Sequence, residues 1–158
     1  MKRNTFLVEI LLFCSFVLII SCDTSKDCPP CFTPPETLNL MLTDKATGED
    51  LIFNHTYSPD TIMFYCYLNG FKVALEQGIY LDSSTSRVII YTSDPSWKSP
   101  TGIKDFYLYL GNNDTDTIFL DVEEKHNECC TYYDWKEFKI NGNTMEIDTN
   151  LHVYVLKK

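Results

Sequence analysis

Residues 61–75 read TIMFYCYLNGFKVAL, and this stretch decides the fold class. Ile62, Phe64, Cys66 and Leu68 fall on one side of an extended chain, and Met63, Tyr65 and Tyr67 on the other. Successive side chains of a strand point to opposite faces, so an apolar period of two marks a half-buried strand. Asn69-Gly70 follows at once, and a second apolar run begins after it. A type I′ turn needs positive φ at both central residues, which Asn and Gly tolerate. The segment is expected to be an antiparallel hairpin, with Cys66 as a small core residue.

The same pattern continues in both directions. In DFYLYL, Phe106, Leu108 and Leu110 alternate with Tyr107 and Tyr109. In TIFLDVE, Ile118, Leu120 and Val122 alternate with Phe119, Asp121 and Glu123, and HVYV at 152–155 forms the last strand. DKATGED, between LNLML and LIF, predicts a second hairpin with Gly48 left-handed, and Asn141-Gly142-Asn143 predicts a third. SDPSWKSPTG reads as a longer loop, and no segment keeps a helical period beyond two turns. Nine or ten short strands at this spacing predict an all-β domain over residues 37–158, an antiparallel β-sandwich.

Upstream lies a different kind of sequence. Lys2 and Arg3 precede a run from Phe6 to Ile20 that is apolar apart from Glu9 and Ser15. A basic start and a short apolar run ending in a small residue mark an export signal, over residues 1–21. Fifteen residues are fewer than the roughly 20 that a membrane-spanning helix needs. The run ends Ile19-Ile20-Ser21-Cys22, which resembles the bacterial lipobox. The resemblance implies a diacylglycerol thioether on Cys22 and cleavage after Ser21. Acyl chains contribute about 0.8 kcal/mol per buried CH₂, and more than one makes anchoring stable. Residues 22–36 are rich in proline and polar residues with no period, so they read as an extended tether.

The order of these parts, with DKATGEDLIF, YSPDTI, NNDTDTIFLD and ECCTYYDWKEFKINGN, resembles small lipoproteins of Bacteroidota. LTDKATGEDL is similar to the first hairpin of transthyretin-like domains, and the sandwich to Ig-like ones. The resemblance implies a lipid-anchored cell-envelope protein, on the outer rather than the inner membrane, and implies no activity. Asp60-Thr61-Ile62 and Asp116-Thr117-Ile118 resemble the Asp-Thr-aliphatic acceptor of O-glycosylation in that group, which implies sugars on Thr61 and Thr117.

Charge narrows the partners. The signal carries Lys2, Arg3 and Glu9; removing these from 13 basic and 22 acidic residues leaves 11 and 21, a charge of −10. Such a chain repels phosphate, so nucleic acid is not an expected partner. The membrane, through the lipid, and a glycan or protein partner are.

Seven cysteines need a reading. Cys14 lies in the signal and Cys22 takes the lipid. Cys28-Pro-Pro-Cys31 has redox spacing, but no helix follows to lower a thiol pKa. Cys28, Cys31, His126 and Cys129 have the types for a four-ligand metal site, yet exported cysteines are more often oxidised. Disulfides are the favoured fate. Adjacent Cys129 and Cys130 point to opposite faces and need distant partners. Cys28 and Cys31 are the natural ones, with Cys66 left free. No metal or cofactor is expected.

Asn112, Asp114, Asp116 and Glu123 match four positions of a calcium loop, but Thr117 stands where glycine is required, so this reads as a turn opening a strand. The three histidines, His55, His126 and His152, sit in no catalytic motif. Tyr65, Tyr67, Tyr107 and Tyr109 lie opposite the apolar faces. They are expected either to form an aromatic surface or to be covered by the second sheet or loops. The expected function is a non-catalytic binding or structural module of the envelope. The alternative is a hydrolase-like enzyme whose site assembles from distant residues. A pocket with converging polar groups favours the enzyme, and a flat tyrosine face the binder.

Overall fold

The structure is a computed structural model and describes residues 31–127 and 129–158. Eleven strands are formed among the described residues: β1 (Cys31–Phe32), β2 (Leu38–Thr43), β3 (Met63–Leu68), β4 (Phe71–Ala74), β5 (Gly78–Asp82), β6 (Arg87–Thr92), β7 (Asp105–Gly111), β8 (Asp114–His126), β9 (Cys130–Ile140), β10 (Glu146–Asp148) and β11 (Val153–Lys157). They make two sheets, ordered β1-β9-β8-β7-β3-β4 and β10-β11-β2-β6-β5. The fold is an all-β sandwich, and one hydrophobic core lies between the inner faces.

The alternating runs supply that core. Phe64 and Cys66 of β3, Phe106 and Leu108 of β7, and Ile118 and Leu120 of β8 face Leu38, Leu40 and Leu42 of β2 and Ile90 of β6. Burying one such side chain is worth about 1.5–3 kcal/mol. The Asn69-Gly70 turn forms as expected, with φ of 51° and 82°, and joins β3 to β4 in antiparallel register.

Two pairings depart from the antiparallel expectation. β1 runs parallel to β9, and β11 parallel to β2. A hairpin forces its two strands to be antiparallel, but parallel strands need a long crossover. In each of these pairs most of the domain separates the two strands, so no turn dictates their direction.

Two expected hairpins close only one rung. Thr43 bridges Asp50 and Gly48 has φ 72°, but Leu51–Phe53 form turns instead of a strand. The cause is Asp50. Its Oδ1 accepts from the amides of Ile52 and Phe53, each at 2.9 Å, which removes those donors from any ladder. Its Oδ2 accepts from Val88 N at 2.6 Å, tying the turn to β6. The Asn141-Gly142 turn bridges Ile140 to Asn143, after which the chain crosses to the other sheet as β10.

The expected loop 93–102 contains a short helix, α1 (Asp94–Lys98), and a 3-10 turn (Ser99–Thr101). Five residues are too few to display a helical period. Prolines at the first positions of both pieces preset the backbone. His152, expected in the last strand, sits in the preceding turn with φ 53°.

Candidate binding face

The outer face of the six-stranded sheet carries the tyrosines. Register places Tyr65 of β3 opposite Tyr107 of β7, and Met63 opposite Tyr109. The rings of Tyr65 and Tyr107 stack with centroids 5.0 Å apart and 14° between planes. Tyr67 sets an edge against both, at 5.8 and 5.4 Å. These offset and edge-on arrangements are the ones ring quadrupoles favour. Lys72, paired with Tyr67 across the hairpin, extends over the cluster. Its Nζ lies 3.8 Å from the Tyr65 ring centre and 5.8 Å from that of Tyr109. An ammonium over a ring face is attracted to it.

The second sheet packs on the opposite side, so these tyrosines are covered from within their own sheet, by one another, by Lys72 and, at Tyr65, by Thr115. Tyr65 is 8% exposed and Tyr67 49%. Burial, then the Tyr67 phenol, push the Tyr65 phenol up, against a hydrogen bond with Thr115. Thr115 and Thr117 on β8 pair with Tyr109 and Tyr107 and border the face with exposed residues. The result is an aromatic cluster with a hydroxyl rim and one cation, in which Tyr67 is the most exposed ring. Lys72 was not legible as part of it, because only the hairpin register brings it over Tyr65.

The cysteine reading is met where the structure describes it. Cys31 and Cys130 form a disulfide across the β1–β9 pair, with Cα atoms 4.5 Å apart and a sequence separation of 99. Cys129 is also disulfide-bonded. Cys66 is a free, buried thiol, and burial pushes its pKa up. The four-ligand site considered for Cys28, Cys31, His126 and Cys129 is thereby ruled out, since Cys31 and Cys129 are oxidised. Cys22 and Cys28 lie outside the described residues. Phe32 stacks on Trp97 at 5.9 Å and meets Tyr133 edge-on at 6.2 Å, so the end of the tether is held by an aromatic contact beside the disulfide.

Of the calcium-template residues, Asn112 sits in the turn before β8 with φ 49°, and Asp114, Asp116 and Glu123 fall in β8, where Asp114 and Asp116 point the same way. Lys158 Nζ lies 2.9 Å from Asp114 Oδ1 and 2.8 and 2.6 Å from the two oxygens of Asp116, out of line for a hydrogen bond to Oδ2. Tyr57 donates to Asp114 at 2.7 Å, and Asn141 donates to Asp116 at 2.6 Å. Asp116 is 2% exposed. The place a metal would take is held by an ammonium of the chain itself. Burial raises the Asp114 pKa, but hydrogen bonds from Lys158 and Tyr57 hold it below the usual carboxylate value. Burial, then the Asp114 bond, push the Tyr57 phenol up to about 12.

The candidate glycosylation residues differ in access. Thr61 closes a 3-10 turn (Pro59–Thr61), and its hydroxyl donates to Ser58 O at 2.9 Å and Leu110 O at 3.1 Å. Thr117 lies inside β8 rather than at its start, and its hydroxyl reaches only Asn141 Oδ1, at 3.3 Å.

The polar side chains of one surface cleft are engaged in structure. In that cleft, of about 490 Å³ beside the Ser99–Thr101 3-10 turn, Ser99 Oγ donates to Leu120 O at 2.9 Å and accepts from Val122 N at 2.8 Å. Lys104 pairs with Asp121 at 2.8 Å and Lys136 with Glu123 at 2.9 Å on its walls. Among the described residues, no three His, Cys, Asp or Glu are placed to hold a metal ion. No helix among them is long and apolar enough to cross a membrane. No family model, curated protein or solved structure matches the chain.

Proposed function

We propose that this protein is a lipid-anchored cell-envelope lipoprotein whose sandwich is a non-catalytic glycan-binding module. The observation that carries it is the cluster of Tyr65, Tyr67 and Tyr107 on the outer face of the six-stranded sheet, in which the Tyr67 ring is half-exposed. Sugar rings offer apolar C–H faces that pack on aromatic rings and hydroxyls that bond at the edges. The phenols, Thr115, Thr117 and Lys72 supply matching partners around the rings. The IISC ending of the apolar run supports the anchor at Cys22, and the sealed cysteines support an oxidising, extracytoplasmic address, with the outer membrane as the site.

Two experiments test it. A glycan array and calorimetry with soluble envelope polysaccharides should detect binding. Tyr67→Ala with Tyr107→Ala should weaken it about fivefold or more, because aromatic stacking is worth about 0.5–1.5 kcal/mol per pair and both contacts are lost. Binding that survives the double variant removes the tyrosine face from the reading. For the anchor, Cys22→Ala should release the protein from the membrane fraction or block its processing; unchanged retention and processing would refute lipidation.

A further inference from the structure

The two sheets end in β1 and β4 and in β10 and β5. A sheet edge offers unpaired N–H and C=O groups, and proteins blunt it with very short strands, lysine or proline. β1 has two residues, β10 has three, and β4 carries Lys72. β5, reading GIYLD, runs for five residues in unbroken register with β6 and holds neither lysine nor proline. Its one charge, Asp82, stands at the last position and accepts hydrogen bonds from Ser84 and Thr85. Residues opposite each other in an antiparallel pair turn their backbone groups either toward each other or both away. Val88 stands opposite Leu81, and its N–H donates to Asp50 Oδ2. Asp50 bridges Thr43 at the end of β2, on the side of β6 away from β5. Leu81 and, two residues before it, Ile79 therefore turn their N–H and C=O groups out at the edge. Tyr80 between them is 47% exposed, and Leu81 is 52% exposed.

This edge is complementary to itself. Laid antiparallel on a second copy with Tyr80 opposite Tyr80, it sets Ile79 of each copy opposite Leu81 of the other and Asp82 opposite Gly78. Apolar side chains then meet apolar ones, and no like charges meet. The outward groups of Ile79 and Leu81 face one another and close two reciprocal pairs of hydrogen bonds. Tyr80 falls at the intervening non-hydrogen-bonded position, where side chains come closest. A shift of one residue would set outward groups against inward ones. We infer that β5 pairs in this register with β5 of a second copy, about a two-fold axis normal to the sheet, making one sheet of ten strands from two of five. That axis keeps like faces on the same side, so the two tyrosine clusters point the same way and can engage a repeating ligand together. The ladder is short, in the size class below about 1,200 Å² whose complexes are weak and reversible. The chain carries a net charge of −9, so two copies repel at long range and the association tightens as salt is raised.

Disulfide trapping in the full-length protein, purified as the cell makes it and held in mild detergent, tests the pairing. At a non-hydrogen-bonded position facing Cα atoms lie about 4.5 Å apart, within disulfide reach, so Tyr80→Cys should form a covalent dimer under mild oxidation. The two copies of Leu81 stand two residues out of line, about 8 Å apart and out of reach, so Leu81→Cys should stay monomeric. Leu81 is no less exposed than Tyr80, which makes it a fair control. Tyr80→Lys sets like charges face to face and should weaken dimerisation, read by sedimentation, about tenfold or more. The Tyr80 ring lies against Tyr91 on the outer face, so this change spares the core. Mixing Tyr80→Lys with Tyr80→Glu protein should restore the dimer as a mixed pair. Equal trapping at both cysteines, or a dimer indifferent to Tyr80→Lys, would overturn the β5 pairing. A protein that is monomeric at every attainable concentration, and that Tyr80→Cys does not trap, would overturn the dimer itself.

Discussion

Replacing Lys158 by Met removes the cation shared by Asp114 and Asp116. Asp116 is nearly inaccessible, so its charge would lose both its ion pair and any route to water. Breaking a fully buried pair costs about 3–5 kcal/mol. Here the Lys158 and Asp114 side chains are 19% and 32% exposed, and each carboxylate keeps one neutral donor, Tyr57 or Asn141. The expected loss is therefore roughly 2–4 kcal/mol. In a domain of this size that lowers Tm by about 8–15 °C. Urea denaturation measures it, through a lower midpoint at unchanged slope. Adding Asp116→Asn should recover part of the loss, because a neutral amide needs no counterion. The pH dependence follows from the shifts. The Asp114 pKa is depressed in the folded state, so its contribution is present above about pH 4 and is lost as pH falls through the folded value. The Lys158 pKa is raised above 10.5, despite burial, by bonds to Asp116 and Asp114; its contribution is present below the unfolded value and disappears as pH rises through the folded one. The variant should lose both the acid and the alkaline limb. A Lys158→Met protein within about 0.5 kcal/mol of the parent, or one that Asp116→Asn does not rescue, would refute the reasoning.

Asp50→Ala strips an acceptor from the amides of Ile52, Phe53 and Val88 and should cost about 2–4 kcal/mol, read by urea denaturation. The Cys66 thiol should be unreactive to maleimide in the native protein and label only on unfolding, since it is fully buried with a raised pKa; rapid native labelling would contradict its place in the core. If sugars are attached, intact-mass analysis should find them lost in Thr117→Ala rather than Thr61→Ala, because the Thr61 hydroxyl is bonded to two carbonyls. Cys31→Ser opens a loop of 99 residues and should cost up to about 4.7 kcal/mol in the chain-entropy model, measured by thermal unfolding.

Local patterns in the sequence determined the strands that alternate, the Asn69-Gly70 hairpin and the core side of each run, because a period of two and a positive-φ turn are properties of neighbouring residues. They also determined that Cys66 would be left free and that a tether cysteine would pair with Cys129 or Cys130, since two adjacent cysteines cannot serve each other. What lay beyond them were choices made between distant residues. Asp50 reads as a turn residue; its Oδ1 takes the amides of Ile52 and Phe53 out of any ladder, and the reach of its Oδ2 to Val88 on β6 fixes that turn in place. Asp114 and Asp116 read as a loop opening a strand, and Lys158 completes them only because β11 runs parallel to β2 and ends beside β8. Lys72 joins the tyrosines through the β3–β4 register, and Trp97 meets Phe32 because α1 closes the end where the disulfide fixes the tether. Charge pairs, ring contacts and parallel strands carry no local period, so the tertiary structure alone decides them.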